Sequence, residues 1–372
     1  MNMQTARTGT FADQVRIVER MAHTEKYKDF IQVINRAQGK VPTIILQSQE
    51  QMADMKRSCS PGPNGVRSVM TFDKTFNLTD LHVTAAVYKN VALLNSRTME
   101  HPGFFGAFFL HGNSDFRVFT QFFQHIAIEF ADSPNPVLGS DEEKAMRNAM
   151  AFAFPDAGIL TCNRHLRGNC VNYYTDKIGA PHGPKMRLLS TIFGANGLVH
   201  LTGEVVFETR LEIAYREMHK TAPEFISYFE THVLGKIRDN LAASQLSHLT
   251  DISWPWTNNL AESLNHVLKQ TTNWRNLNLP ALVEALNDLV HSQSKEIERS
   301  LIGRGNLMLQ EQFLRFRMTA DAWQALPDGK RKKHMSRFTK RIRDANLQVS
   351  RGWEGSLLEN APKDKGRKPG QK

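Results

Sequence analysis

Three apolar, strand-like runs follow one another in the chain, at residues 66–76, 82–94 and 103–111. Only short turns separate these runs, so they should pair as an antiparallel meander. The segment at 58–65 precedes them and holds two Pro and two Gly in eight residues, which predicts a loop. Later segments of the chain must then cover the two faces of this sheet.

The hydrophobic period changes after the third run. Residues 115–131 carry Phe and Ile at three-to-four spacing and predict a helix. Short strand patterns at 136–140 and 157–162 then alternate with helical patterns at 141–154 and 163–178. Strands joined through helices add to a sheet in parallel, so we expect a mixed α/β sheet with helices on both faces.

The remaining segments divide the chain further. Residues 12–38 have a helical pattern and 41–49 a strand pattern, whereas 186–250 is helical without comparable strand runs and suggests an insertion. Two more helices follow, the second beginning at Pro280. The predicted units are a lead-in (1–64), the first part of a core (65–185), a helical insertion (186–252), the completion of the core (253–300) and a basic extension (301–372).

Cysteine content and hydropathy exclude two classes of protein. The sequence has only 3 Cys, unevenly spaced, so a disulfide framework is not expected and a reducing compartment is. No stretch reaches the roughly 18 to 20 apolar residues of a membrane span. Secreted disulfide-rich and membrane-spanning classes are therefore excluded on the sequence.

The net charge of +10 is concentrated near the C-terminus. Residues 330–343 contain eight Lys or Arg and no acid, and 363–372 add four more net positive charges, which leaves the rest slightly negative. Such runs indicate phosphate-backbone contact or nuclear import, with a solvated tail as the alternative. The residues of the first run are Lys330, Arg331, Lys332, Lys333, Arg337, Lys340, Arg341 and Arg343. Pro and Gly after 361 predict disorder at the end.

Three acids stand where a metal site could form. Asp73 lies in an otherwise apolar strand, where an ionised carboxylate needs a compensating cation. Asp141 follows a short strand and Glu262 begins a helix, positions that helix capping and the helix dipole would also explain. Three converging carboxylates can hold two Mg²⁺ ions, which activate the attacking oxygen and stabilise the leaving oxygen of a phosphodiester.

Four motifs in order carry a resemblance to a known family. They are Asp-Lys-Thr-Phe at 73–76, Ser-Asp-Glu-Glu-Lys-Ala-Met-Arg-Asn-Ala at 140–149 with Phe-Pro at 154–155, Cys-Asn-Arg-His-Leu-Arg-Gly-Asn at 162–169, and Thr-Asn-Asn-Leu-Ala-Glu-Ser-Leu-Asn at 257–265. Together they resemble the transposase domain of Mutator-like elements (MULE) over roughly residues 65–300.

The resemblance implies a fold, an activity and its partners. The fold would be an RNase H-like mixed five-stranded sheet flanked by helices, with an all-helical insertion before the last catalytic helix. The catalytic and metal-binding set would be Asp73, Asp141 and Glu262 with two Mg²⁺ (or Mn²⁺) ions, acting in DNA strand cleavage and transfer. Transposon ends and target DNA are the expected partners, the nucleus is the expected location, and a homodimer is left open.

A Cys-x2-His element joins the predicted site. Cys162 and His165 supply only half of a tetrahedral zinc site, so zinc is not expected there. The resemblance implies instead that they organise the site or the scissile phosphate, while a core Cys and a buried, hydrogen-bonded His remain the alternative. Arg164 and Arg167 could contact phosphate.

The segment before Glu262 adds further candidates. Asn258 and Asn259 are expected to cap its helix and fix the direction of its carboxylate, and Lys269, two turns along, could reach phosphate. Trp254 and Trp256 could stack on bases, although packing in the core is the stronger expectation.

Three functions compete on this sequence. The first is an active DDE-type transposase, and the second is a catalytically inactive, transposase-derived DNA-binding or regulatory protein. A nuclease acting on RNA or RNA/DNA hybrids is the third. Full-length relatives are expected to carry zinc-binding modules that 3 Cys cannot build, so a truncated or domesticated copy is expected.

Overall fold

The computed structural model describes residues 9–36, 41–60, 66–133, 136–179, 182–244 and 254–340. The strands are β1 (Ile31–Asn35), β2 (Thr43–Leu46), β3 (Met70–Thr75), β4 (His82–Lys89), β5 (Leu93–Asn95), β6 (Gly103–His111), β7 (Leu138–Ser140), β8 (Ile159–Thr161) and β9 (Leu307–Leu309). The α-helices are α1 (Phe11–Met21), α2 (Gln49–Cys59), α3 (Phe116–Glu129), α4 (Lys144–Ala153), α5 (Asn163–Tyr173), α6 (His182–Phe193), α7 (Glu204–Thr221), α8 (Glu224–Tyr228), α9 (Gly235–Ser244), α10 (Asn259–Thr271), α11 (Leu279–Leu301), α12 (Ala320–Gln324) and α13 (Asp328–Thr339).

One mixed sheet organises the fold, in the order β1-β2-β6-β4-β3-β7-β8. The meander is confirmed, because β4 pairs antiparallel with both β3 and β6. The helix-connected strands also behave as predicted, since β7 is parallel to β3 and β8 is parallel to β7. The α/β class is therefore confirmed. The predicted number of five strands is wrong, because β2 and β1 extend the sheet beyond β6 to seven strands in the described residues.

Two local predictions are also wrong. The helix predicted over residues 12–38 ends at Met21, and Ile31–Asn35 is a strand that pairs with β2. Val33 and Ile34 are β-branched, and sheet pairing outweighs their helical spacing. The single strand predicted over 82–94 divides as well, because Leu93–Asn95 leaves the main sheet and pairs with β9.

Helices cover both faces of the sheet. Helices α2, α3 and α4 pack on one face, where the Phe72 ring lies edge-on to Phe123 at 4.8 Å and to Phe122 at 6.0 Å. Helices α1, α10 and α11 cover the opposite face. Within the parts of the chain that the structure describes, no helix is both long and apolar enough to cross a membrane.

The region predicted as a helical insertion is helical in its described part. Helices α6 to α9 build a core of their own with α5, around Phe207, Phe225 and Phe229. Asn240 of α9 attaches this region to edge strand β8, because its side-chain amide accepts from Thr161 N at 2.8 Å and donates to Thr161 O at 2.9 Å. The side chain thereby satisfies strand-edge groups that have no further strand to bond.

The extension predicted from residue 301 onward begins with ordered elements. Strand β9 pairs with β5, and α13 packs against α2. Arg57 of α2 joins the two regions, because its guanidinium donates to Phe338 O at 2.6 Å and forms an ion pair with Asp54. Asp54 is 2% exposed and also accepts hydrogen bonds from Tyr88 and Asn90. The predicted disordered end lies outside the described residues.

Arg57→Ala should lower the free energy of unfolding by about 3 to 5 kcal/mol, because it leaves the buried Asp54 carboxylate without its cation. Urea unfolding followed by circular dichroism measures the loss. Arg16→Ala is the matched control, since Arg16 forms an exposed pair with Asp13 at the same three-residue spacing and should cost under about 0.5 kcal/mol. Equal losses for both variants would contradict the role given to Arg57.

The Trp256 indole packs directly against Gly139 of β7. A Cβ at residue 139 would overlap Trp256 Cζ2 and lie 3.0 Å from Val69 Cγ1. Trp256 is 6% exposed, so the expectation that it packs in the core is confirmed. The same segment is tied to α5, since Asn163 N donates to Trp256 O at 3.1 Å.

Gly139→Ala should therefore destabilise the protein by about 1 to 3 kcal/mol, through overpacking against Trp256. Gly168→Ala is the control, because Gly168 lies in α5 with no atom within 4 Å of an added Cβ. Alanine in that helix should stabilise by about 0.5 to 1 kcal/mol. The free energy of unfolding in urea distinguishes the two, and a harmless Gly139→Ala would exclude the close packing.

Candidate active site

Asp73 and Asp141 lie near the carboxyl ends of two neighbouring strands of the sheet. Strands β3 and β7 are parallel, and their register aligns Phe72 with Ser140. Asp73 is the next residue of β3 and Asp141 follows the last residue of β7, so both acids lie toward the carboxyl ends of the two parallel strands. In open α/β sheets, functional sites usually lie at the carboxyl ends of the strands.

The Asp73 carboxyl group is strongly perturbed. Burial, together with the negative charges of Asp141 and Glu262, raises its pKa to about 7. Two hydrogen bonds act in the opposite direction, because Lys74 N donates to Oδ1 at 3.0 Å and Asn265 Nδ2 to Oδ2 at 2.7 Å. Asp141 and Glu262 are therefore each near enough to act on the charge of Asp73.

Helix α10 places Glu262 near the same strand ends as the two aspartates. Asn265 follows one turn later and points to the same site, since it donates to Asp73. The Glu262 carboxylate accepts from Arg164 Nη1 at 2.9 Å, and His165 Nε2 lies 3.9 Å from its other oxygen. Asn265 was not predicted as a site residue, although its three-residue spacing from Glu262 places both on one side of a helix.

Asp141 does not cap a helix. Helix α4 begins at Lys144, and Asp141 Oδ1 instead accepts from Glu143 N at 3.1 Å in a local turn. The helix-cap explanation of this acid is therefore wrong. Glu143 is held by Lys74, whose Nζ lies 2.6 Å from Glu143 Oε1 and 3.0 Å from Ser114 Oγ.

Cys162 is buried at the start of α5, and its Sγ accepts a hydrogen bond from Asn258 N at 3.3 Å. It thus links the strand β8 junction to the start of α10. Asn258 occupies the predicted N-cap position of α10. The predicted side-chain cap is wrong, because the Asn258 side chain makes no cap hydrogen bond. Its side-chain amide is fully buried and has no hydrogen-bond partner in the described residues, whereas Asn259 is exposed as the first residue of α10.

The described residues contain no group of three His, Cys, Asp or Glu side chains placed to hold a metal ion. As arranged here, Asp73, Asp141 and Glu262 interact through their charges, while Glu262 is turned to Arg164. A metal site formed by the three acids stays a prediction, as does the expectation that Cys162 and His165 bind no zinc.

The predicted phosphate contacts lie in two places. Arg164 and Arg167 are exposed on α5, and Lys269 lies on α10 with its Nζ 5.8 Å from the Trp274 ring. The basic run lies instead on and after α13, which packs against α2 on the other face of the sheet. The exposed members in the described part are Lys330, Lys332, Lys333, Arg337 and Lys340. Arg341 and Arg343 lie outside it.

Arg331 differs from the other members of the basic run. Its guanidinium donates to Leu326 O at 2.9 Å and to Gln324 O at 3.1 Å, so it ties α13 to the end of α12. Asp328 lies 3.5 Å away as a further partner. A structural role therefore accounts for Arg331.

The sequence matches no model of a known protein family, and no curated protein is significantly similar to it.

Asp73→Asn should remove a pH dependence of stability. The native carboxyl group keeps its proton up to a pKa of about 7, whereas the unfolded one loses it near 3.8, so ionisation weakens the fold as pH rises through this window. Between pH 5.5 and 8 the wild type should lose roughly 2 kcal/mol more than Asp73→Asn.

Urea unfolding at both pH values, in EDTA, measures this difference. Asp80→Asn is the control, since Asp80 is an exposed carboxylate in the turn after β3. It should keep the pH dependence of the wild type. If Asp73→Asn and the wild type change in parallel, the Asp73 carboxyl group is not buried with the other acids.

Proposed function

We propose that this protein is a DDE-type transposase of the MULE-like kind, which cleaves and transfers DNA strands with Asp73, Asp141 and Glu262. The observation that carries the proposal is the convergence of the three acids: Asp73 and Asp141 follow aligned residues of two parallel strands. Asn265, one turn after Glu262 on α10, donates a hydrogen bond to Asp73. Burial and the charges of the other two acids raise the pKa of Asp73 to about 7. A protein gains nothing in stability from such a cluster, so a function that uses it is the better explanation.

The sheet supports the same proposal. The five strands predicted from the sequence are neighbours in the order β6-β4-β3-β7-β8, with an antiparallel meander followed by helix-connected parallel strands. We take these five strands as an RNase H-like core, to which β2 and β1 are added. In this interpretation the helices between α5 and α10 are the insertion before the last catalytic helix.

The donor set suits Mg²⁺ or Mn²⁺, because three carboxylates leave positions for water and phosphate oxygens. Two such ions held by Asp73, Asp141 and Glu262 would supply the activated attacking oxygen and the stabilised leaving oxygen. At neutral pH Asp73 retains part of its proton, so cation affinity should rise as pH passes through about 7.

Other side chains of the site position these acids. Asn265 holds Oδ2 of Asp73 at 2.7 Å and so fixes the direction of the carboxylate. Arg164 holds Glu262, but its side chain is 68% exposed, so breaking this ion pair costs little. Once released, its guanidinium is suited to a phosphate of the DNA backbone.

The exposed lysines and arginines of α13 support a nuclear, DNA-binding protein. Lys332, Lys333 and Arg337 are solvent-exposed on one short helix, where they can meet phosphates or an import receptor. Since α13 lies across the sheet from α10, we assign this run to distant backbone contact or import.

A catalytically inactive, transposase-derived DNA-binding protein is the second candidate. The ion pair of Glu262 with Arg164 favours it, because this pair occupies the carboxylate that catalysis needs. Binding of duplex DNA without cleavage would identify this candidate.

In a cleavage assay with labelled duplex DNA and Mg²⁺ or Mn²⁺, we expect activity from the wild type. Asp73→Asn, Asp141→Asn and Glu262→Gln should each lower the rate roughly 100-fold or more, since each removes a metal ligand. Asp156→Asn is the control, because Asp156 is an exposed carboxylate after α4 and should leave the rate unchanged.

Metal-dependent cleavage that Asp141→Asn leaves untouched would exclude the site. An RNA/DNA hybrid serves as a parallel substrate. Cleavage of the hybrid but not of the duplex would assign the protein to RNA-directed nucleases instead.

A further inference from the structure

Helix α10 ends beside an exposed tryptophan. Trp274 is 62% exposed, three residues after the last residue of the helix that carries Glu262 and Asn265. Large aromatic side chains usually bury most of their surface, and an exposed tryptophan ring offers a face on which a base can stack.

The chain turns sharply at this point. Asn273 N donates to Gln270 O and Trp274 N donates to Lys269 O, which is the Schellman pattern that closes a helix C-terminus. Asn273 has φ +51°, as this motif requires. The cap thus accounts for the left-handed backbone of Asn273 and for the direction in which the chain leaves the helix.

The cap does not account for the backbone of Trp274. This residue has φ +58°, a backbone conformation that is unfavourable for a bulky side chain. Its exposed ring offsets little of this cost through packing. The segment is nevertheless held in place, since Leu277 N donates to Leu78 O at 2.8 Å.

Polar and basic groups surround the ring. Lys269 Nζ lies 5.8 Å from the ring centroid, and the His266 ring lies edge-on at 5.2 Å. Arg275 is exposed next to it. An aromatic face with cations beside it is complementary to a base attached to a phosphate backbone.

Glu262, His266 and Lys269 follow each other at spacings of four and three residues along α10, so they form one row. The seven steps along the helix from Glu262 to Lys269 cover roughly 10 Å at 1.5 Å per residue. That length corresponds to about three nucleotides at 3.4 Å per step of a strand. A strand with a phosphate at the acids would therefore bring a base to Trp274.

We propose that Trp274 stacks on an unpaired base of the DNA strand about three nucleotides from the phosphate held at the acidic site, while Lys269 contacts the backbone. This inference rests on the proposed function, because it extends the same site along α10. The assigned surface consists of His266, Lys269, Trp274 and Arg275.

The test measures binding, not cleavage, by fluorescence anisotropy with Ca²⁺ in place of Mg²⁺, because the acids can hold a phosphate only through a bound cation. The probes are a labelled duplex with a three-nucleotide single-stranded overhang and the same duplex with abasic sites in the overhang. The wild type should bind the base-containing overhang about 5- to 150-fold more tightly. Trp274→Ala should lose this preference, and Trp274→Phe should keep most of it.

Phe152→Ala is the matched control, since Phe152 is 59% exposed on α4 and should leave the preference unchanged. Trp274→Gly separates binding from folding, because glycine accepts a positive φ without strain. It should abolish the preference without lowering Tm. A fall in Tm would instead make Trp274 a structural residue and overturn the proposal.

Loss of the preference in Phe152→Ala, or a preference that Trp274→Ala retains, would also overturn it, as would a wild type that binds both probes equally. These outcomes differ from failure of the proposed function. Absence of cleavage in Mg²⁺, with the base preference intact, would refute the catalytic assignment and leave the stacking surface in place.

Discussion

The parallel pairing of β3 with β7 is the constraint on which the site depends. It aligns Phe72 with Ser140, so the following residues of both strands, Asp73 and Asp141, bring like charges to one sheet edge. Two hydrogen bonds offset part of this repulsion: the Asn265 side-chain amide donates to Asp73, and the Arg164 guanidinium donates to Glu262. The buried sheet fixes the backbone positions of Asp73 and of the residue before Asp141, and protonation or a bound cation lowers the repulsion between the two acids.

A second constraint holds the chain together after the helical region. The segment that leads into α10 returns to the sheet through Trp256, whose indole fits against Gly139 of β7, and through the hydrogen bond from Asn258 N to Cys162 Sγ. Both contacts lie within a few residues of Asp141 or Glu262. The position of Glu262 therefore depends on packing beneath the site, and Cys162 serves as a buried acceptor in that packing.

Hydrophobic periodicity predicts the central strands and the helix after the meander well. Buried strands such as Met70–Thr75 are apolar runs, and α3 has phenylalanines at helical spacing. Periodicity fails for Ile31–Asn35, whose spacing also fits a helix and whose strand pairing with β2 depends on residues distant in sequence. Asp73 could be named as an acid inside an apolar strand, and Asp141 and Glu262 from their places beside the ends of elements. The three-residue spacing of Asn265 from Glu262 places it on the same side of the helix, but its hydrogen bond to Asp73, 192 residues away, could not be predicted, and neither could the exposure of Trp274.

The basic groups around the acids are already engaged. Lys74 pairs with Glu143, Lys236 with Glu142 and Arg164 with Glu262, so this region presents less free positive charge than its composition suggests. The pairs differ in exposure, however, and Arg164 is the most exposed of the three cations. Its guanidinium can serve Glu262 or a phosphate, but not both fully. In the proposed function, a metal ion that engages the Glu262 carboxylate would release the Arg164 guanidinium beside it, which would couple occupancy of the acids to capture of a phosphate.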